Sequence, residues 1–250
     1  MNQKGNPPGL PFFFLTTAPP TLVRFKARRP FPHPRNAGGL HVGSHTGQRY
    51  HSRSMLPTAE HNPVLLDAAR ETIRRALRGD SNDVRPCPDP ALLFPGGCFV
   101  SLHELHTHKL RGCVGRLDAT QPLWNCIHGS SLGVLEDPRF YDNPVRLSEL
   151  QSLEIEISVL SPMREARSVT DFNLSTEGIY LIHQNRSGCF LPQVARETGW
   201  NREQLLSRLC TEKMGLSAHA WKEAGARLMV FSTLVIGPEP FERPAPSSVR

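Results

Sequence analysis

The chain has 250 residues, enough for one large domain or two small ones with a core that needs no disulfide bonds. Hydrophobic residues make up 38% of it, and no run approaches the roughly 20 apolar residues of a membrane-spanning helix, which excludes a transmembrane protein. The net charge of +6 is concentrated in residues 1–59, which hold eight Lys and Arg and no Asp or Glu. The remaining 21 basic and 23 acidic residues leave 60–250 slightly acidic, so specific nucleic-acid binding there is disfavoured.

The first 59 residues form a segment of their own. They contain nine prolines and six glycines, with too few apolar residues to bury a core, and we expect them to be disordered. An Arg-rich, acid-free N-terminus also resembles an organelle transit peptide. We prefer a third interpretation, in which translation begins at Met55, because a helix-like pattern follows directly.

The elements of the N-terminal half alternate between helices and a hairpin. A helix is predicted from Asn62, with proline in its first turn, to the stop signal at Gly79. After a proline-rich connection, the β-compatible runs 98–102 and 110–115 predict a hairpin across a His-rich turn. Residues 122–135 then carry leucines and isoleucine at helical spacing, which predicts a second helix.

The C-terminal half begins with the clearest strand, 153–159, in which leucine, isoleucine and valine share one face and Glu154, Glu156 and Ser158 the other. The next predicted elements are a hairpin of 178–183 and 189–191 around the loop 184–188, a helix capped by Asn201 with Gln204 in the reciprocal position, and a last strand at 228–236. Helices and hairpins mix without a βαβ rhythm. The fold class is therefore α+β, with a mainly antiparallel sheet packed with helices.

The most unusual segment is the hexapeptide Leu-Arg-Gly-Cys-Val-Gly at 110–115. Glycine weakens a strand, so Gly112 and Gly115 mark a bulge or a close approach by a ligand or another backbone. The functional interpretation is that Arg111 lowers the pKa of an exposed Cys113, which then acts as a nucleophile or a sulfur ligand. The alternative is a small buried thiol between glycines that allow close packing.

Four segments together resemble one known family: 110–115, 136–140 (EDPRF), 153–162 (LEIEISVLSP) and 188–194 (GCFLPQV). The chain is similar to the AMMECR-type domain, whose bacterial and archaeal members are called AmmeMemoRadiSam system protein A. The resemblance runs from about Pro63 to Ile236. It places this domain at 60–236, between the segment 1–59 and a proline-rich tail at 237–250.

The resemblance implies a larger and a smaller subdomain and no established molecular role. It also implies two partners, a Memo-like protein and a radical S-adenosylmethionine protein. No cofactor carries over, because this chain lacks a matching cysteine triplet. The six cysteines contain no C-x-x-C pair, which favours reduced thiols in a cytoplasmic protein.

Two functional hypotheses follow from the motif. In the first, Arg111 and Arg139, with the amides of Gly112 and Gly115, bind a small anionic ligand or an acidic partner segment. The competing interpretation ties these arginines structurally to the carboxylate of Asp137 or Glu156.

The second hypothesis is a cysteine-dependent enzyme. If the helix after the hexapeptide folds back over the hairpin, His128 approaches Cys113 as a base and Glu156 orients the imidazole. A metal site is not predicted, because His103, His106 and His108 around the first hairpin turn are typical of solvated histidines.

Overall fold

The computed structural model describes residues 56–242, so the predictions for 1–55 and 243–250 lie outside the described residues. Its α-helices are α1 Asn62–Arg78, α2 Leu123–Gly133, α3 Pro192–Thr198 and α4 Arg202–Arg208. Its strands are β1 Gly97–Glu104, β2 Leu110–Arg116, β3 Leu153–Leu160, β4 Arg164–Glu165, β5 Glu177–His183, β6 Arg186–Phe190 and β7 Arg227–Pro240. None of the helices in the described part of the chain is long and apolar enough to cross a membrane.

All strands pair antiparallel in one sheet of order β2-β1-β3-β7-β5-β6, and β4 pairs with β7 beside this path. The C-terminal part of β7 pairs with β3, whereas its N-terminal part pairs with β5 and β4. One long strand therefore joins two halves of the sheet. The predicted α+β class with an antiparallel sheet is confirmed.

Two hydrophobic cores lie along this sheet. The main core packs α1 and α2 against β1, β3 and the end of β7, and the second packs α3 and α4 against β5, β6 and the start of β7. A smaller cluster that includes Phe99 and Phe231 connects them. The two cores correspond to the larger and smaller subdomain that the resemblance implies.

The strongly periodic segments form the predicted elements. α1 ends at Gly79, whose φ of +77° closes the helix in the left-handed conformation that glycine adopts readily. The first hairpin and the strand at β3 lie where the pattern puts them. α4 begins with the reciprocal hydrogen bonds between Asn201 and Gln204, as predicted.

Both ends of the folded domain extend beyond the predicted boundaries. Leu56 packs against the main core, and a 3-10 turn at Ala59–His61 leads directly into α1, so the folded domain starts before residue 60. At the other end, β7 continues past Ile236 to Pro240, and Phe241 is buried in the main core at 1% exposure. Residues 237–242 are therefore part of the fold rather than of a tail, because Phe241 contributes apolar surface to the core.

One local prediction was wrong, and one helix was missed. The second hairpin turns on two residues, Gln184 and Asn185, because both adopt positive φ angles, 50° and 56°, which match a tight two-residue turn. The strand then resumes at Arg186 instead of Cys189. The helix α3 was not predicted, although Pro192 in its first turn and Gly199 at its end are ordinary boundary signals.

Candidate functional site

The two faces of β2, β1 and β3 have different environments. Gly112 and Val114 face the segment of α2 and the turn after it, since a Cβ on Gly112 would meet Val134 at 2.9 Å and one on Gly133 would meet Val114 at 2.8 Å. Because side chains alternate along a strand, Cys113 points to the opposite face. The thiol and α2 therefore lie on opposite sides of the sheet.

Cys113 belongs to a row of side chains that crosses three strands. Ser101 of β1 pairs with Cys113 of β2 on one side and with Glu156 of β3 on the other. The next pair along the strands is His103 opposite Glu154. Directly paired residues share a face, so these five side chains converge on one surface of the sheet.

This surface forms one wall of a cavity of about 270 Å³, which we call the Cys113 cavity. The sheet contributes Phe99, Ser101, His103, Cys113, Glu154 and Glu156 to it. The opposite wall comes from residues 189–197, at the end of β6 and in α3. The cavity thus lies where the smaller half of the molecule covers the polar face of the larger half.

The thiol of Cys113 is half-buried against this cavity. Burial raises the pKa of Cys113 above its ordinary value, and the nearby Ser101 hydroxyl and Arg139 guanidinium only partly oppose this effect. A raised pKa favours the neutral thiol over the nucleophilic thiolate. The expectation that Arg111 activates Cys113 is therefore not supported.

Asp137 and Arg139, from the second matching segment, hold the backbone of Cys113. The Cys113 amide donates to Asp137 Oδ2 at 2.9 Å, and Arg139 Nη2 donates to the Cys113 carbonyl at 3.2 Å. The two side chains also form an ion pair, with Arg139 Nε 2.9 Å from Asp137 Oδ1. Although burial opposes it, these bonds hold the pKa of Asp137 below its ordinary value.

Arg111 is occupied in a similar way by another carboxylate. Its Nε and Nη2 donate to the two oxygens of Glu149 at 2.6 and 3.2 Å, and its guanidinium lies over the Phe140 ring at 5.4 Å. Arg111 is only 6% exposed and does not line the Cys113 cavity. Arg139 thus has the expected partner Asp137, whereas Arg111 pairs with Glu149, a carboxylate that the sequence analysis did not name.

The two motif glycines are explained by close packing. A Cβ on Gly115 would lie 2.2 Å from the Cys98 carbonyl oxygen and 2.5 Å from Phe99 Cα. A Cβ on Gly112 would lie 2.9 Å from the Val134 carbonyl oxygen. Backbone atoms block a side chain at both positions, so their contact is with neighbouring protein and not with an anion.

The proposed grouping of Cys113, His128 and Glu156 is wrong in one member. His128 lies on α2, where Nε2 is 2.9 Å from the Asn82 carbonyl oxygen and Nδ1 is 3.4 Å from the Thr72 hydroxyl. These contacts place it beside α1, on the other side of the sheet from Cys113. The structure brings only Cys113 and Glu156 together.

Two histidines line the cavity: exposed His108, which pairs with Glu154, and buried His103, which sequence reasoning did not assign to the site. His103 is 8% exposed, and its imidazole makes no hydrogen bond to the residues that the structure describes. Burial lowers the pKa of His103, an effect that Glu154 partly offsets, so the neutral imidazole is favoured. The alternation of Phe99, Ser101 and His103 along β1 was the available signal, because it places this histidine on the face of Cys113.

The carboxylate of Glu156 lines the cavity without a positively charged partner among the described residues. It makes no hydrogen bond or ion pair within residues 56–242, whereas its neighbour Glu154 contacts Nδ1 of His108 at 2.5 Å. Burial raises the pKa of Glu156, and the charges of Glu154 and Glu197 raise it further. Within the described part of the chain, no group of three or more His, Cys, Asp or Glu side chains is arranged to hold a metal ion.

The fold and the site define an α+β protein with a small, partly polar cavity between two cores. Residues 66–236 match the AMMECR1 family, and the chain belongs to that family.

Two archaeal relatives and one solved structure resemble the chain over most of their own length. Protein MK0488 of Methanopyrus kandleri is 31% identical, covering 75% of this chain and 93% of the relative. Protein MJ0810 of Methanocaldococcus jannaschii is 28% identical, covering 72% and 91%. The crystal structure of the uncharacterized protein PH0010 from Pyrococcus horikoshii is similar at 28% identity with a TM-score of 0.65, covering 71% of this chain and 91% of that one. The names of these proteins state no activity.

Proposed function

We propose that the protein binds a small molecule in the Cys113 cavity. One observation carries the proposal: buried His103 and unpaired Glu156 face an open volume of about 270 Å³ without hydrogen-bond partners among the described residues. Buried polar groups in folded proteins are almost always hydrogen-bonded, so groups without protein partners are typical of a site that accepts a ligand.

The cavity is a better binding site than the arginines of the motif. A bidentate contact to an incoming anion requires a free guanidinium. Arg111 and Arg139 already bind Glu149 and Asp137. The original hypothesis of anion binding is therefore replaced by binding on the cavity side of the same strand, where the motif contributes its cysteine.

Binding is also favoured over cysteine-dependent catalysis. A nucleophilic thiol needs a base within hydrogen-bond reach or a lowered pKa. Burial raises the pKa of Cys113, and His128 is engaged elsewhere. We therefore assign Cys113 a contact role in the proposed site.

The cellular setting is part of the proposal. The family resemblance favours a Memo-like protein and a radical S-adenosylmethionine protein as partners of this chain. All six cysteines are free thiols, which fits the reducing conditions of the cytoplasm. Co-purification with tagged versions of the two proteins tests the partnership, and failure of both to associate with this chain in reciprocal pull-downs contradicts it.

The binding function is tested by using Cys113 as a reporter. Maleimide labelling at pH 8 is followed by peptide mass spectrometry in the presence of small acids, alcohols and amines. The partly buried Cys87 lies outside the cavity and is the internal control. We expect at least one compound class to slow labelling of Cys113 without affecting Cys87, and to raise the melting temperature. If no compound protects Cys113 selectively, the proposal is wrong.

A further inference from the structure

We infer that the ligand of the Cys113 cavity is a small primary amine, with a positively charged amino group held between Glu156 and His103 and an apolar body. This inference rests on the proposed binding function and specifies its ligand class.

Three carboxylates line the cavity, and among the described residues only Glu154 has a partner there, the imidazole of His108 at the cavity edge. Glu154 and Glu156 come from β3 and Glu197 from α3, on the opposite wall. The cavity lining that the structure describes includes no Lys or Arg. Carboxylates from two sides of a partly enclosed space favour a positively charged ligand, because charges interact more strongly there than in bulk water.

His103 provides an independent reason for a ligand that donates hydrogen bonds. The residue is 8% exposed, it lines the cavity, and the described residues provide no hydrogen bond to its imidazole. A neutral imidazole has one accepting nitrogen, and an ionised carboxylate only accepts. Glu156 and His103 thus offer acceptors, and an ammonium group has three N–H donors to satisfy them.

The remaining lining specifies the rest of the ligand. Phe99, Phe190, Leu191 and Val194 line the same cavity. Pockets for drug-sized ligands usually have volumes of about 300–1,000 Å³, so a cavity of about 270 Å³ suits a compact molecule. An amine with one ring or a short alkyl chain satisfies both the acidic and the apolar surface.

The nearby cations do not reverse this charge preference. Arg139 lies close enough to Cys113 to affect its thiol, but it is paired with Asp137. Lys213 lies over the Phe190 ring at 5.7 Å, and neither of these cations lines the cavity. The amino group is therefore expected at the Glu156 end and the apolar body toward Phe190.

The test compares three probes of similar shape and different charge: phenethylamine, 2-phenylethanol and phenylacetate. Protection of Cys113 from maleimide and titration calorimetry measure their binding to the full chain. We expect the amine to bind at least about tenfold more tightly than the alcohol, and the acid to bind least, because an added charge-assisted hydrogen bond contributes at least about that factor. Pentylamine, pentanol and pentanoate form a second series that separates the effect of charge from that of the ring.

Glu156→Gln keeps the shape of the side chain and removes its charge. It should reduce amine affinity about tenfold or more and leave alcohol affinity unchanged, whereas the control Glu203→Gln on the exposed surface of α4 should change neither. Circular dichroism verifies that both variants fold, and Glu197→Gln at the exposed edge of the cavity provides a second charge removal.

The outcomes separate the inference from the binding function. If alcohols or acids protect Cys113 as well as amines do and Glu156→Gln has no effect, the amine inference is wrong and the binding function stands. If no probe protects Cys113, both are wrong.

Discussion

The two faces of the β2–β1–β3 sheet are both largely buried, but by different chemistry. On one face, Val100, Ile155 and Ile157 are fully buried in the main core against α1 and α2. On the other face, Ser101 and His103 are also buried, at 6% and 8% exposure, under the smaller half of the molecule. The first face stabilises the fold, whereas the second retains polar groups that cost free energy unless something binds them. The difference locates the candidate site on the second face.

The largest loss of stability is expected at Phe241, which packs into the main core at the end of the described chain. Phe241→Ala removes a side chain that is 1% exposed, and replacing a buried phenylalanine by alanine costs about 3–5 kcal/mol. Urea unfolding monitored by circular dichroism measures the loss, and Phe241→Leu should recover most of it. A loss below about 0.5 kcal/mol, the range of surface substitutions, would return residues 237–242 to the predicted tail.

A second substitution tests why residue 115 is a glycine. Gly115→Ala places a Cβ 2.2 Å from the Cys98 carbonyl oxygen, which only a backbone shift relieves. We expect a loss of about 3 kcal/mol or failure to fold, at the upper end of overpacking costs. The matched control is Gly129→Ala on α2, whose Cβ meets nothing within 4 Å and which should be neutral or stabilising. If both variants have equal stability, the close-packing explanation is wrong.

The contrast between the faces also explains which sequence predictions succeeded. Strong periodicity correctly predicted α1 and β3, because each of them buries one apolar face and its sequence shows that face at regular spacing. For β3, alternation correctly separated the apolar side from the polar side. It did not indicate that the smaller half covers the polar side, since that contact depends on residues 189–197, about 30 positions further along the chain.

The candidate site was predicted in part for the same reason. Cys113 and Glu156 were identified and do share the cavity. His128 was assigned to it on the expectation that α2 folds over the thiol, but α2 packs against Gly112 and Val114 on the other face. Strand alternation shows that Cys113 lies on the opposite face from Gly112 and Val114, but it does not show which of the two faces α2 covers. His103 was overlooked because its segment was interpreted as a polar turn, whereas β1 extends to Glu104.

An intermediate effect is expected at the ion pair that holds Cys113. Asp137→Asn removes the charge that binds Arg139 and weakens the acceptor of the Cys113 amide. Asp137 is 4% exposed, so we expect a loss of about 2 kcal/mol, typical of a buried charged group that loses its hydrogen bonds. Asp118→Asn breaks the exposed pair with Arg116 after the same strand and should cost less than about 0.5 kcal/mol. Chemical unfolding compares the two variants, and equal losses would contradict a special role for Asp137.

The smallest effect has the opposite sign and lies on the polar face. Glu156→Gln should stabilise the protein at neutral pH by less than about 1 kcal/mol, or at most about 4 °C in melting temperature. The pKa of Glu156 is raised by burial and by the charges of Glu154 and Glu197, while His103 and Cys113 face it from β1 and β2. Between its ordinary and raised pKa the folded state binds more protons than the unfolded state, so this carboxylate lowers stability as pH rises through that window.

The stability gain of Glu156→Gln should therefore shrink as the pH is lowered to about 4, near the ordinary pKa of glutamate, where the carboxyl is protonated in the folded state and mostly protonated in the unfolded state. Melting curves of the unliganded protein from pH 4 to 8, beside those of Glu203→Gln, measure this dependence. If the stability gain persists unchanged at pH 4, it results from packing and not from the removed charge. A carboxylate that costs stability without a ligand and binds an amine when one is present is a group retained for binding, whereas the buried side chains on the opposite face of the same strands are retained for the fold.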